Sequence, residues 1–71
     1  MRQVILYPDV DDGGWIAEVP SLPGCISDGA TREEALENIQ DAIETWIDGM
    51  TVSGQTIPDE RFLAEVCLVP A

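Results

Sequence analysis

One amphipathic helix is written into this chain, and it limits everything else the chain can build. Thr31 followed by Glu34 fits a capping box, in which the hydroxyl accepts from the amide three residues on and the carboxylate reaches back. Behind it Leu36, Ile39, Ile43, Trp46, Ile47 and Met50 recur at helical spacing, with Ala35 and Ala42 at the edges of the apolar face. Gly49 and Gly54 both qualify as the stop. A single helix covers one face of a sheet, so the strands around it must leave the other face open or give it to a partner.

Those strands are short and sharply punctuated. Arg2–Tyr7 reads as a strand stopped by Pro8, and Trp15–Val19 as a second ended by Pro20. The stretch Asp9–Gly14 between them holds three Asp and two Gly, which is turn chemistry, so the pair reads as a hairpin with a long loop. Pro20–Gly24 is a rigid connector, Cys25–Ser27 a short third strand, and Asp28-Gly29-Ala30 its exit to the helix. After the helix, Thr51–Glu60 reads as a polar loop and Phe62–Val69 as a last strand closed by Pro70. The order is β-β-β-α-β, an α+β fold in a single domain spanning residues 1–71. Right-handed crossover predicts the last strand beside the first, in a four-stranded mixed sheet with one helix on one face.

The first and last strands are apolar on both faces: Val4 and Leu6 alternate with Ile5 and Tyr7, and Phe62, Ala64, Val66 and Leu68 with Leu63, Cys67 and Val69. Strands of that kind are normally covered on both sides. A domain of this size hides only about 60% of its unfolded surface, so its own core is small. Ile5, Tyr7, Leu63, Cys67 and Val69 are therefore the candidates for a self-association surface, with a C2 dimer as the default arrangement. The competing arrangement folds the loop Thr51–Glu60 over the uncovered face.

Charge narrows the function. Among 71 residues there are 14 Asp plus Glu against three Arg, no Lys and no His, for a net charge of -11. Three scattered Arg make no patch for phosphates or anionic lipid, which speaks against nucleic acid and membrane surfaces as partners. Without His there is no His-based acid–base pair or nucleophile activation, and Cys25 and Cys67 alone do not supply the four ligands of a zinc site. No leader and no bilayer-spanning run is read, so the expected compartment is the cytosol with reduced thiols, both packing as small apolar residues. Trp15 and Trp46 read as core. No cofactor is expected.

Two acidic constellations stand out. Glu37, Asp41, Glu44 and Asp48 are spaced by four, three and four, which makes one helical stripe opposite the apolar face, extended by Glu33 and Glu34. Like charges at these spacings cost about 0.2–0.5 kcal/mol per pair, and Asp48 opposes the helix dipole. The stripe reads either as a docking face for a basic partner or as the solvated surface of an acidic protein. Asp9, Asp11 and Asp12 form the second cluster. Their spacing suggests the start of an EF-hand, but the later ligands are absent and turn chemistry accounts for them. Asp9 and Glu37 could converge across the sheet on a metal, as in a metal-dependent nuclease, but nothing positions further ligands or holds nucleic acid.

Taken together, Asp11-Asp12-Gly13-Gly14-Trp15, then Ala17-Glu18-Val19-Pro20-Ser21-Leu22-Pro23-Gly24-Cys25, then Gly29-Ala30-Thr31-Arg32-Glu33-Glu34-Ala35-Leu36-Glu37-Asn38-Ile39 running into Ala42-Ile43 resemble the HicB antitoxin family. The likeness covers nearly the whole chain. It implies a degraded RNase H-like domain without catalysis. It also implies a partner, a small basic HicA-like mRNA-cleaving toxin whose active site the antitoxin would mask. The other implied reading is an orphan HicB-like structural homo-oligomer without a toxin. Many HicB proteins add a C-terminal DNA-binding domain. Because this sequence stops at Ala71, just after its last predicted strand, operator binding is not expected of it. No motif carries over toxin-contact residues.

Overall fold

In a computed structural model, residues 1–61 and 63–71 are described. Three strands, β1 (Ile5–Pro8), β2 (Trp15–Glu18) and β3 (Ile26–Gly29), precede one helix, α1 (Arg32–Val52). The strands pair antiparallel in the order β1-β2-β3. The hairpin expected between the first two is present, and each strand lies within a residue or a few of its expected bounds. Pro8 joins β1 rather than stopping it, which a residue on an outer strand can do without losing a ladder bond.

The fourth strand is a correction. No strand forms over residues 63–71, so the sheet among the described residues is three-stranded and purely antiparallel, not four-stranded and mixed. Phe62, the first residue of that expected strand, lies outside the described residues. The reason is visible where the segment meets β1. Gln3 N–H goes to the Glu60 carboxylate and Ala64 N–H to the Gln3 side chain, so side-chain hydrogen bonds stand where a backbone ladder would begin.

Register sorts the side chains. Leu6 faces Ala17 and Ser27, and Pro8 faces Trp15 and Gly29, on the side toward α1. Ile5, Glu18 and Ile26 form one row on the opposite side, and Tyr7, Ile16 and Asp28 the next. The helix lies over β3 and β2, with β1 at its margin. The core is Ala17, Val19, Leu22, Cys25, Ala35 and Ile39. Ala35, expected at the edge of the helix face, is fully buried at its centre, because Gly29 lets the end of β3 come against the first helical turn. A Cβ at Gly29 would meet the Ala35 amide and lie 2.8 Å from the Glu34 carbonyl carbon. Leu22 was not foreseen in the core. The connector turns tightly, with Leu22 N–H donating to Val19 O at 3.1 Å and Cys25 N–H to Leu22 O at 3.0 Å, and this tucks the leucine inward.

Both helix ends are chemically explicit. The Thr31 hydroxyl accepts from Glu34 N–H at 3.1 Å. The Glu34 carboxylate reaches back 3.3 Å to the amide of Ala30, one residue before the cap. At the other end Gln55 N–H donates to Met50 O and Gly54 N–H to Thr51 O, with Gly54 at φ +72. That is a Schellman motif, so Gly54 and not Gly49 supplies the left-handed residue. Thr31→Ala is expected to lower unfolding stability by about 1 kcal/mol, read as a reduced urea midpoint at unchanged slope.

Candidate partner-binding surface

The stripe forms as expected. Glu37, Asp41, Glu44 and Asp48 are all exposed on α1, away from the core contacts of Ala35 and Ile39. At about 1.5 Å per residue they span about 16 Å of helix axis. The first turn carries Glu33 and Glu34, and the last turn has no basic residue. Arg32 pairs with Glu33 at 3.7 Å, on the exposed surface at the helix start. Arg2 is occupied elsewhere, so among these contacts no guanidinium reaches the stripe.

The hairpin acids behave differently. The Asp9 carboxylate accepts from Asp11 N–H at 3.1 Å and Asp12 N–H at 3.2 Å, closing the loop on itself. The backbone closes it further, with Asp9 N–H on Gly14 O and Gly13 N–H on Asp9 O, and Gly13 and Gly14 take φ of +76 and +80. Turn chemistry therefore holds Asp9, while Asp11 and Asp12 are exposed at the loop tip. Asp9 also borders a hollow of about 400 Å³ with Ile16, Ile26, Ser27 and Asp28, on the sheet face opposite the helix. The two acidic constellations thus do not merge: Asp9 lies toward the open sheet face and the stripe lies on the helix. Among the described residues no group of three or more Asp, Glu, Cys or His comes together to hold a metal ion.

The open face carries Ile5 and Tyr7, as expected, and also Ile16, Glu18 and Ile26, which sequence reading did not single out. Antiparallel register would have found them once Ile5 and Tyr7 were placed. Tyr7 donates to Glu18 at 3.0 Å, and that carboxylate, more than burial, pushes the phenol up from its ordinary value. A second hollow, lined by Ile5, Glu18, Pro20, Pro23 and Ile26 among others, contains no residue of the loop 53–60. The loop instead ties down beside the start of β1. Arg2 donates to Pro58 O at 2.7 Å and to the Ser21 hydroxyl at 3.3 Å, and pairs with Glu60 at 3.7 Å. Glu60 accepts from Gln3 N–H at 3.0 Å and from the Ser21 hydroxyl at 2.8 Å. Nothing local in the sequence links positions this far apart.

This anchor has a pH signature. The Gln3 N–H, above all, holds the Glu60 carboxyl below its ordinary 4.5, with the Ser21 hydroxyl, Arg2 and the N-terminus helping and burial opposing. A depressed carboxylate contributes stability that is complete above its unfolded pKa and lost as pH falls through the lower folded value. Unfolding free energy should therefore drop on acidification below about pH 5. Glu60→Gln should flatten that part of the profile; an unchanged profile would mean that the anchor contributes nothing.

The remaining predicted site residues lie beyond the anchor. Leu63, Cys67 and Val69 are exposed and in no strand. Cys67, expected to pack as a core residue, is exposed with its thiol 3.4 Å from Glu65 Oε1, whereas Cys25 is buried and its thiol is pushed up by that burial. Trp46 packs at the margin and donates to Pro23 O at 3.1 Å. Among the described residues no helix is long and apolar enough to cross a membrane.

With this geometry in place, comparison with known proteins identifies the lineage. A model of the HicB-like antitoxin of bacterial toxin–antitoxin systems matches residues 3–70. The chain belongs to the HicB-like antitoxin family. A UPF0150 protein of Thermoplasma acidophilum is 36% identical, over 86% of this chain and 88% of its own. A UPF0150 protein of Synechocystis is 32% identical over 96% of this chain and 93% of its own. Antitoxin HicB 2 of Photorhabdus laumondii is 40% identical along the whole chain, which spans 54% of that relative. The HicB-like match takes in β1 to β3, α1 and all but the last residue of the segment after it.

Proposed function

We propose that this HicB-like protein is a non-enzymatic, cytosolic antitoxin module that neutralises a small basic HicA-like ribonuclease by covering its active site. The observation that carries this reading is the exposed stripe of Glu37, Asp41, Glu44 and Asp48, which runs along α1 with no basic residue in the last turn. A helix selected for stability alone would mix signs there. A partner that must bind RNA presents basic surface, and a negative stripe steers such a partner and competes with phosphate for it. Asp11 and Asp12 at the hairpin tip are available as secondary contacts, while the Asp9 carboxylate is committed to its own loop.

The test is direct. A small basic HicA-like ribonuclease is mixed with this chain, and cleavage of an mRNA is followed as the ratio rises. Cleavage should stop near stoichiometric addition, and the complex should weaken as salt rises. A toxin that cleaves equally well in the presence of excess chain would overturn the reading. The exposed apolar residues Leu63, Val66, Leu68 and Val69 favour a further property, self-association, which needs no toxin.

A further inference from the structure

We propose that the sheet face turned away from α1 is a second protein-docking surface, and that its occupant is a basic amphipathic helix of a protein partner. Register lays six side chains out on it as a grid, Ile5, Glu18 and Ile26 in one row and Tyr7, Ile16 and Asp28 in the next. Four of the six are apolar or aromatic, and Ile26 is 53% exposed. The helix packs on the opposite side. Both hollows on this face are lined, among the described residues, by the strands and the turns that join them, so neither α1 nor the loop after it fills them.

Charge selects the occupant. Glu18 sits half-buried between Ile5 and Ile26, Asp28 stands beside Ile16, and Asp9 borders the larger hollow. Among the described residues the ion pairs are Arg2 with Glu60 and Arg32 with Glu33, and neither reaches this face. The Glu18 carboxylate accepts from the Tyr7 hydroxyl at 3.0 Å and keeps further acceptor capacity. Covering it with apolar surface alone would strip its water and return nothing, so an occupant must bring a cation. A second copy brings the same carboxylates and another net charge of -11. Ile5 and Tyr7, which apolarity alone marks for self-association, therefore lie on a face that repels a copy. Anionic lipid and nucleic acid are repelled in the same way. What fits is a protein segment with Lys or Arg set among apolar residues.

The dimensions suit a helix. Strands lie about 4.8 Å apart, so β1 to β3 spans about 10 Å, close to the diameter of an α-helix. Successive rows are about 7 Å apart along the strands, and residues four apart on a helix rise by about 6 Å. A helix laid along the strands thus sets successive turns over successive rows, with apolar side chains in the hollows of about 400 and 270 Å³ that meet at Ile26. Its cations would meet Glu18 and Asp28. The acidic stripe lies on the far side of α1, so this surface is separate from the proposed toxin contact and does not depend on it.

Isoleucine-methyl NMR of the full chain tests this with three synthetic peptides of about 18 residues, five helical turns each. One is an amphipathic helix of Leu and Lys, one has Glu in place of Lys, and one has Ser in place of Leu. The Leu/Lys peptide should shift the Ile5, Ile16 and Ile26 methyls saturably while that of Ile39, in the core, stays put. The other two should leave all four in place. Glu18→Gln with Asp28→Asn should weaken the Leu/Lys peptide at least about fivefold at unchanged far-UV circular dichroism. Asp41→Lys with Glu44→Lys should leave it bound, which separates this surface from the toxin reading. Methyls of the open face that do not respond, an equal response to the Leu/Glu peptide, or undiminished binding by the Gln/Asn variant would each overturn the proposal. So would shifts of the same methyls with protein concentration alone, which would make the occupant a second copy.

Discussion

Replacing Asp41 and Glu44 by lysine should weaken binding to a basic toxin by about tenfold or more at low salt while making the free protein more stable. The two effects have opposite signs for one reason. In the free chain Asp41 is flanked by Glu37 four residues before and Glu44 three residues after, and Glu44 by Asp48 four after, so every neighbour on the stripe repels. Asp41→Lys puts an ammonium four residues after Glu37, which is the favourable orientation for a helical ion pair. Glu44→Lys puts a second ammonium four residues before Asp48. Each new pair contributes about 0.2–0.5 kcal/mol in place of a similar penalty. Against the toxin, each reversal turns a negative charge into a positive one, and the loss should fall mainly on the association rate and shrink as salt rises. Surface plasmon resonance at two ionic strengths, paired with urea unfolding, measures both. Unchanged affinity would remove the stripe from the interface, and lowered stability would mean that these carboxylates make contacts other than repulsion.

Ile39→Ala should be among the most damaging single truncations for folding. Ile39 is 2% exposed and sits where α1 meets Ala17, Val19, Leu22 and Cys25. Emptying such a site typically costs about 2–5 kcal/mol, from lost transfer energy and an imperfectly collapsed cavity. A chain of 71 residues has about 4–11 kcal/mol in all. The variant should therefore lose at least about 8 °C of melting temperature, from the lower bound of that range. Thermal unfolding by circular dichroism reads this, and a shift below about 3 °C would show that the core collapses around the deletion more readily than cores usually do.

Much of the fold was legible from neighbouring residues. Thr31 and Glu34 placed the helix start, and the apolar spacing from Leu36 to Ile47 placed the face that α1 turns to the sheet. The Asp- and Gly-rich loop placed the hairpin, and Asp9 proved to be a turn residue for the reason its position suggested. The stripe was legible too, since four carboxylates at helical spacing on one side of an apolar face have nowhere else to go. What failed was the final strand. Alternation in residues 63–69 announces a capacity to pair, but it does not name the edge that receives it.

The sequence by itself determined which segments are helix and hairpin, where the helix begins, and that a negative face runs along it. These follow from contacts among residues no more than about five apart in the chain, where side-chain chemistry and backbone geometry act directly. Only the tertiary structure decided that Leu22 and Ala35 fill the core, that Asp9 and the stripe part company, and that Arg2, Ser21 and Glu60 meet. It also decided that, among the described residues, no fourth strand pairs with the outer side of β1. Each depends on which distant groups compete for the same donor or the same volume. At Gln3 two side-chain hydrogen bonds won the backbone contact that a fourth strand would have needed, and no local pattern records that competition.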